Sequence, residues 1–529
     1  MKKLIVSLFL IGSLAAGLNG WASELRQTIS LDKGWHFKLG WFDVPGRTAI
    51  HDWRHQFDGD GEASAGKMAA SGLDTSAWKK GNRFDARKGE EDEALKGWLA
   101  VGNMNQKDTF LPVWFRTELP GSPAAHPVLE FSRMHRIAHV YVNGVKLARH
   151  EGREVEFVVD LRTVWKSEGT NTVAVLVEGL QNIATVGNVK YADLASVVIP
   201  ATSPLSPDYD DSSWKVVDAP HDYIVEGKIL PRARGGADGY QAQRIPAMYR
   251  RTIVKPEVAA GDRIWLEFDG VYRMSHYWIN GKHVDVHPGA FVMNRIDVTD
   301  ELKEGENCLV VTVDPTISES GYDGAGIYRR VRMVVVPEIR VAADGVFVSS
   351  RIDDPKDGIT APAVVTISTE ITNGSNKKAR AKLLYEIIDS TGKVVETGTE
   401  LKSLPVGDSM FEETIDLSVA KLWSCEHPEL YQLRTTIKVA GRAVDRVTTK
   451  FGIRKIEFDV ERGFFLNGKH IKIKGICSRP NHAGVGHAMP ARLTEWRLEQ
   501  LKAMGGNAYR CAHYPFGPDF YDACDRLGV

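Results

Sequence analysis

The chain has 529 residues, 43% hydrophobic and 26% charged, with a formal net charge of -1. That is the composition of an ordinary globular protein with room for three or four domains, and the charge balance excludes a polyanion-binding surface, which needs a basic stripe. The five cysteines, Cys308, Cys425, Cys477, Cys511 and Cys524, are odd in number, scattered and without a Cys-x-x-Cys pair, so neither a disulfide framework nor a zinc site is encoded.

At the N-terminus, Lys2 and Lys3 precede an apolar run from Leu4 to Leu18 that ends near the small residues around Ala22. The pattern predicts a signal peptide over residues 1–22 and export to a periplasmic or secreted location. The run is shorter than the roughly 20 apolar residues of a membrane span.

An internal repeat follows. Asp74-Thr75-Ser76-Ala77-Trp78 recurs as Asp210-Asp211-Ser212-Ser213-Trp214, Arg116-Thr117 as Arg251-Thr252, and Leu129-Glu130-Phe131 as Leu266-Glu267-Phe268. Val142-Asn143-Gly144 recurs as Ile279-Asn280-Gly281 and Gly169-Thr170-Asn171 as Gly305-Glu306-Asn307, all about 136 residues apart and in one order. Asn-Gly between alternating apolar segments is a strong hairpin signal. Thr172 to Val177 and Cys308 to Val313 read as core strands. The expectation is a duplicated, two-sheet jelly roll, the first copy over residues 23–200 and the second over 201–337, the latter able to fold with the next unit as residues 200–450. Tryptophans in these segments, Trp35, Trp41, Trp78, Trp98, Trp114, Trp214, Trp265 and Trp278, read as core rather than as sugar platforms.

Residues 338–452 change texture. Val364 to Thr369 and Lys382 to Ile387 flank the turn Asn373-Gly374-Ser375, and about seven short strands in this span predict an immunoglobulin-like sandwich. Residues 453–529 change period again. A hairpin at Phe464 to Lys469 leads to a strand at Ile471 to Ile476, then a Gly-rich loop. Leu493, Trp496, Leu501 and Met504 then fall at helical spacing, and a buried strand runs through Gly506 to Cys511. Strand, loop, helix, strand is the opening of a parallel (β/α)8 barrel, whose working residues sit at the C-terminal strand ends. His482 follows the first such strand and His513 the second.

Four stretches carry a family resemblance: Asp210 to Trp214 with Pro220-His221-Asp222-Tyr223, Gly324-Ala325-Gly326-Ile327-Tyr328-Arg329-Arg330-Val331, Leu422-Trp423-Ser424 with Pro428-Glu429-Leu430-Tyr431, and Asn507 to Pro515. In order and spacing they resemble glycoside hydrolase family 2, which joins a jelly-roll sugar-binding domain, an immunoglobulin-like sandwich and a catalytic barrel. The loop Cys477 to Gly486 is most similar to an exported β-galactosidase-like bacterial branch, while Ser478, Arg479 and Ala512 depart from that branch's pattern.

The resemblance implies a retaining hydrolase of terminal β-linked sugars, most of all β-galactosides, with β-glucuronides and β-mannosides as alternatives and an oligo- or polysaccharide as partner. No cofactor is expected, and Asp208 to Asp211 lacks the twelve-residue calcium-loop pattern, so no metal is inferred. The family's chemistry uses two carboxylates, one protonated and one ionised. The family's acid/base Glu directly follows an Asn, and no Asn-Glu pair occurs here, so neither catalytic carboxylate is assigned. By resemblance Arg510 would steady the nucleophile, His513 and His482 would donate to sugar hydroxyls, and Asp323 would reach in from the jelly roll. The expectation is therefore the front portion of an enzyme, truncated early in its barrel and inactive alone. A free-standing carbohydrate-binding scaffold is the competing reading, and unpaired parallel barrel strands speak against it.

Overall fold

Among the described residues, the first two strands pair with segments far along the chain. Gln27–Ser30 pairs antiparallel with Val331–Val336, and Trp35–Leu39 sits between Lys215–Val217 and Ala247–Val254. In this computed structural model, which describes residues 25–40, 47–50, 54–57, 61–80, 83–85, 111–132, 135–153, 157–179, 183–185, 188–193, 199–227, 245–287, 289–315, 324–353, 355 and 357–529, these strands belong to the second jelly roll. The expected boundary at residue 200 is thus corrected: the second jelly roll takes residues 27–39 from the front of the chain, and the first is inserted behind them.

The second jelly roll has one four-stranded sheet, ordered Gln27–Ser30, Val331–Val336, Arg263–Phe268, Asn294–Asp297. Its six-stranded sheet is ordered Lys215–Val217, Trp35–Leu39, Ala247–Val254, Glu306–Val313, Ser275–Ile279, Lys282–His287. The inserted copy repeats the order of both sheets and adds a short ladder of Arg83–Asp85 with Ile183–Thr185. Its small sheet is ordered Arg47–Ile50, Asn188–Asp193, Pro127–Ser132, Phe157–Asp160, and its large one Lys79–Lys80, Arg54–Phe57, Leu111–Pro120, Thr170–Gly179, His135–Val142, Val145–Arg153. Arg47 lies opposite Ala192 in this copy, so its two ends are neighbours. Adjacent termini are what allow a domain to be inserted into a loop.

Burial explains why each copy closes. Trp35, Tyr249, Leu266, Phe268 and Tyr277 form the centre of the second core, and Phe115, Leu129, Phe131 and Val175 that of the first. On the outer face of each large sheet a Trp from the recurring Asp-x-Ser-x-Trp segment packs in the same place. Trp78 meets Trp114, Tyr141 and Ala174, while Trp214 meets Met248, Trp278 and Val310. Both Trp residues, together with Trp35, Trp114, Trp265 and Trp278, are buried core, whereas Trp41 and Trp98 lie outside the described residues.

Strand register also revises one repeat pair. Arg116 opposes Ala174 and Arg250 opposes Val310. The equivalent of Arg116 is therefore Arg250 rather than Arg251, and both are buried and donate to backbone carbonyls, Met68 O in one copy and Ser206 O in the other.

The third unit is a seven-stranded sandwich. Ile339–Ile352, Thr360–Asn373 and Gly407–Lys421 face Val394–Leu404, Ala379–Ile388, Tyr431–Val439 and Arg442–Phe451 across a core that includes Val365, Ile367, Leu383, Tyr385 and Leu433. Arg26 reaches across to this unit and forks onto Asp445, whose carboxylate is fully buried and also accepts Val341 N at 2.7 Å.

In the tail, Gly475–Ser478 and Ala508–Cys511 pair in parallel, joined through the helix Ala491–Ala503 and followed by the helix Pro518–Leu527. The first barrel strand thus begins four residues later than the apolar run Ile471 to Ile476 suggested. The helix face is also shifted. Leu498 and Leu501 are buried, whereas Trp496 and Met504 are exposed.

Candidate functional site

The two parallel strands place their C-terminal ends side by side. Cys477 is the register partner of Arg510, and the Arg510 guanidinium donates from Nη1 to Cys477 Sγ at 3.0 Å. Gly475 allows this approach, because a Cβ there would meet Ala508 O at 2.8 Å. Arg510 and His513 are exposed, with His513 edge-on to Tyr514. His482 is half-buried in a tight turn, where His482 N donates to Gly486 O at 2.9 Å and its Nδ1 lies 2.9 Å from Ala483 O. Arg510, His513 and His482 therefore all emerge at one end of the strand pair, where a parallel barrel puts its working groups. Asp323 lies outside the described residues.

What sets the position of these loops is the second jelly roll, and it does so through groups that the sequence marked only as carriers of the family resemblance and not as site residues. Asp222, 2% exposed, accepts from His487 N at 2.8 Å, Ala325 N at 3.0 Å and Ile224 N at 3.2 Å. One carboxylate thereby ties the loop after the first barrel strand to the jelly roll. Gly324 lies against it: a Cβ there would meet Asp222 Oδ2 at 2.7 Å. Gly326, at φ 113°, would drive a Cβ into the Tyr249 hydroxyl and to 2.6 Å from His221 O. The Gly-Ala-Gly-Ile-Tyr-Arg-Arg motif is in this sense a close-approach motif.

The loop after the second strand is held from the same side. Phe291 stacks on Tyr514 with ring centroids 3.8 Å apart and planes at 9°. Arg329 donates from Nη2 to Pro515 O at 2.8 Å, and Arg330 pairs with Asp519 at 2.9 Å. Arg497 on the first helix donates to Ser478 Oγ at 2.6 Å and to Asn481 O at 2.9 Å, which fixes the start of the His482 loop. Between jelly roll and tail remains a cavity of about 60 Å³, bordered by Tyr328, Arg329, His487, Tyr509 and Phe516. It has room for a few waters at most, so it is an interdomain gap and not a sugar pocket.

The sandwich grips the other end of the tail. Trp423 Nε1 donates to Asp525 O at 2.8 Å, and Lys502 Nζ donates to Cys425 O at 2.6 Å and to Gly528 O at 3.1 Å. Inside the tail, burial pushes the Cys524 thiol up to about 12, so it packs as a neutral, inert group among Leu498, Phe516 and Phe520.

Three family models match along the chain: the glycosyl hydrolase 2 galactose-binding domain-like model at residues 237–323, the glycosyl hydrolases family 2 model at 341–454 and the family 2 TIM barrel model at 458–529. Together they span more than half of the sequence. The chain belongs to glycosyl hydrolase family 2. Among curated relatives, this family 2 chain is 32% identical over 332 residues to a putative β-glucuronidase of Formosa agariphila, covering 61% of this chain and 31% of the relative. It is 33% identical over 326 residues to a β-galactosidase of Bacteroides ovatus, covering 61% of this chain and 38% of the relative. It spans well under half of either relative. Among solved structures, a glycosyl hydrolase family 2 member from Bacteroides cellulosilyticus matches with a TM-score of 0.56 at 28% identity, over 61% of this chain and 44% of that one. A β-glycosidase from Bacteroides vulgatus matches with 0.55 at 30% identity, over 61% and 41%.

Proposed function

We propose that this family 2 chain supplies the jelly-roll, sandwich and opening barrel portion of an exported, retaining β-glycosidase that acts on terminal β-galactosides or β-glucuronides of an oligo- or polysaccharide. The observation that carries the reading is the parallel strand pair whose adjacent ends present Arg510, His513 and His482 while the jelly roll holds both following loops. In this reading the Arg510 guanidinium favours the ionised form of a nucleophilic carboxylate through a charge-assisted hydrogen bond, and the two imidazoles address sugar hydroxyls. Asp323 would approach the same sugar from the jelly roll. Relatives named as β-galactosidase and as β-glucuronidase match equally well, so the sugar is proposed as one of these two.

Retaining hydrolysis needs an acid/base and a nucleophile about 5–5.5 Å apart. In the family the acid/base Glu follows an Asn, and the 529 residues contain no such pair. The 529-residue chain is therefore expected to release no nitrophenol above blank from nitrophenyl β-galactoside or nitrophenyl β-glucuronide, and to show saturation transfer to the better-matched methyl glycoside by NMR. Turnover of either substrate would refute the reading that these residues lack the acid/base pair, and absence of transfer to both glycosides would refute the sugar site. Among the described residues no helix is long and apolar enough to cross a membrane, and export rests on the N-terminal segment alone, which lies outside them.

A further inference from the structure

The hairpin Ser275–Ile279/Lys282–His287 carries two histidines far in sequence from the sugar-facing loops. His276 Nδ1 and His283 Nε2 lie 3.1 Å apart, with ring centroids 5.3 Å apart and planes inclined at 49°. A bulge between Tyr277 and Trp278 makes His283 the partner of Trp278, so His283 shares a sheet face with Trp278 and His276. Trp278, 2% exposed, forms an apolar floor, its ring 4.7 Å from His283 and inclined at 64° to it. Both imidazoles are half-buried, with a route to solvent. The inserted jelly roll is an internal control. By strand register its equivalents are His139 and Lys146, and there Lys146 pairs with Glu62 while His139 is only 3% exposed. Where the inserted copy has the Lys146 ammonium, the second copy has the His283 imidazole.

Imidazole nitrogens bind Zn²⁺ at about 2.0–2.1 Å. Two of them on one ion at angles between square-planar and tetrahedral stand about 2.9–3.4 Å apart. The observed 3.1 Å falls inside that range. Without an ion, one ring donates its N–H to the other. Moving that proton to the donor ring's far nitrogen is a tautomer change with no net proton loss, and it leaves two lone pairs facing the same volume.

We propose that His276 and His283 form a two-imidazole site for a divalent transition metal ion, Zn²⁺, Ni²⁺ or Cu²⁺, that clips the hairpin across its bulge. Among the described residues no group of three or more His, Cys, Asp or Glu gathers for a metal, so the proposed site rests on the two imidazoles alone. Hard ions that prefer oxygen ligands, such as Mg²⁺, are not taken.

The test uses the 529-residue chain without an affinity tag. Calorimetric titration with NiCl₂ and ZnCl₂ at pH 7.5 is expected to show one site per chain, and MgCl₂ none. His276→Asn and His283→Asn should each weaken binding about tenfold or more, with unchanged circular dichroism. With one equivalent of Cu²⁺, electron paramagnetic resonance should report two imidazole nitrogens in the parent chain and fewer in each variant. No uptake by the parent, equal uptake of Mg²⁺, or a double variant that binds as the parent does would each overturn the site.

Discussion

Asp222 shows how much one buried carboxylate does here. It gathers N–H groups from its own segment, from the Gly-rich motif and from His487, which lies 265 residues away in the chain. Replacing it with Ala leaves these donors with no acceptor in a dry interface, where each orphan costs about 1–3 kcal/mol. Asp222→Ala is expected to lower stability by about 3 kcal/mol or more, and to make the His482 loop the first site cut in limited proteolysis. Urea denaturation and the proteolytic map check both.

Four histidines, His139 and His221 buried and His150 and His287 half-buried, make the chain sensitive to acid. Burial depresses the imidazoles of His139, His150, His221 and His287 below their ordinary value of about 6.5, opposed at His139 and His221 by nearby glutamates. The unfolded chain then binds more protons between those depressed values and about 6.5, so stability rises with pH across that window and is lost on acidification through it. Asp269 and Asp285 are raised by burial and act in the opposite sense, contributing most below about pH 4. The melting temperature is therefore expected to fall by a few degrees from pH 7.5 to 5.5 and to fall further below about pH 4, where carboxylates held low by ion pairs and hydrogen bonds, Glu62, Asp160, Glu226 and Asp297 among them, take up protons and outweigh Asp269 and Asp285. Calorimetry that found the protein more stable at pH 5.5 would contradict this.

At the scale of the element, the two Asn-Gly hairpins repeat one device. Asn143 and Asn280 adopt positive φ, 52° and 50°. Each donates from Nδ2 to the Oδ1 of a later Asn, Asn171 at 2.9 Å and Asn307 at 2.8 Å, and accepts from the next strand's N–H at 3.0 Å. The sequence motif thus specifies both a turn and its docking onto the central strand. Asn280→Ala loses both bonds and keeps an unfavourable left-handed backbone, a cost of about 2–4 kcal/mol. Asn280→Gly retains only the turn and should cost less. Chemical denaturation of the pair orders them. The barrel helix Ala491–Ala503 was less legible, because Trp496 and Met504 fit the helical spacing as well as Leu498 and Leu501 do, and only tertiary packing, of Leu498 against Phe516 and Phe520 for one, chose between them.

At the scale of the whole molecule, the nested arrangement decides which pieces fold. A fragment of residues 200–450 lacks Trp35 and Phe37, which fill the second core at 0% and 5% exposure, and it opens the edges of Val331–Val336 and Ala247–Val254. Large buried aromatics contribute about 3–5 kcal/mol each on truncation, and open edges invite association. That fragment is expected to aggregate and to show no cooperative transition, whereas residues 25–40 joined by a short flexible linker to residues 199–529 should regain a cooperative unfolding transition of the second jelly roll. Light scattering and calorimetry on the two polypeptides separate the outcomes, and a soluble, cooperative 200–450 fragment would show that the front strands are dispensable.

Local physics was enough for much of this protein. Alternating apolar segments, Asn-Gly turns and the change of period after Phe451 are written in short windows of residues, so the mainly β architecture, the duplication, the sandwich and the barrel opening could be read directly from the amino acids. Chain order also places Arg510 within the second strand and His482 and His513 in the loops after the two strands, while their roles toward a sugar stay part of the proposal. Strand partnership across long separations could not be read in this way. Gln27 finding Val335, Asp222 finding His487 and Phe291 finding Tyr514 depend on which unsatisfied edge, donor or ring face is brought near by the packing of everything else. Those contacts, and with them the insertion of one jelly roll into the other and the positioning of the site loops, were decided only by the tertiary structure.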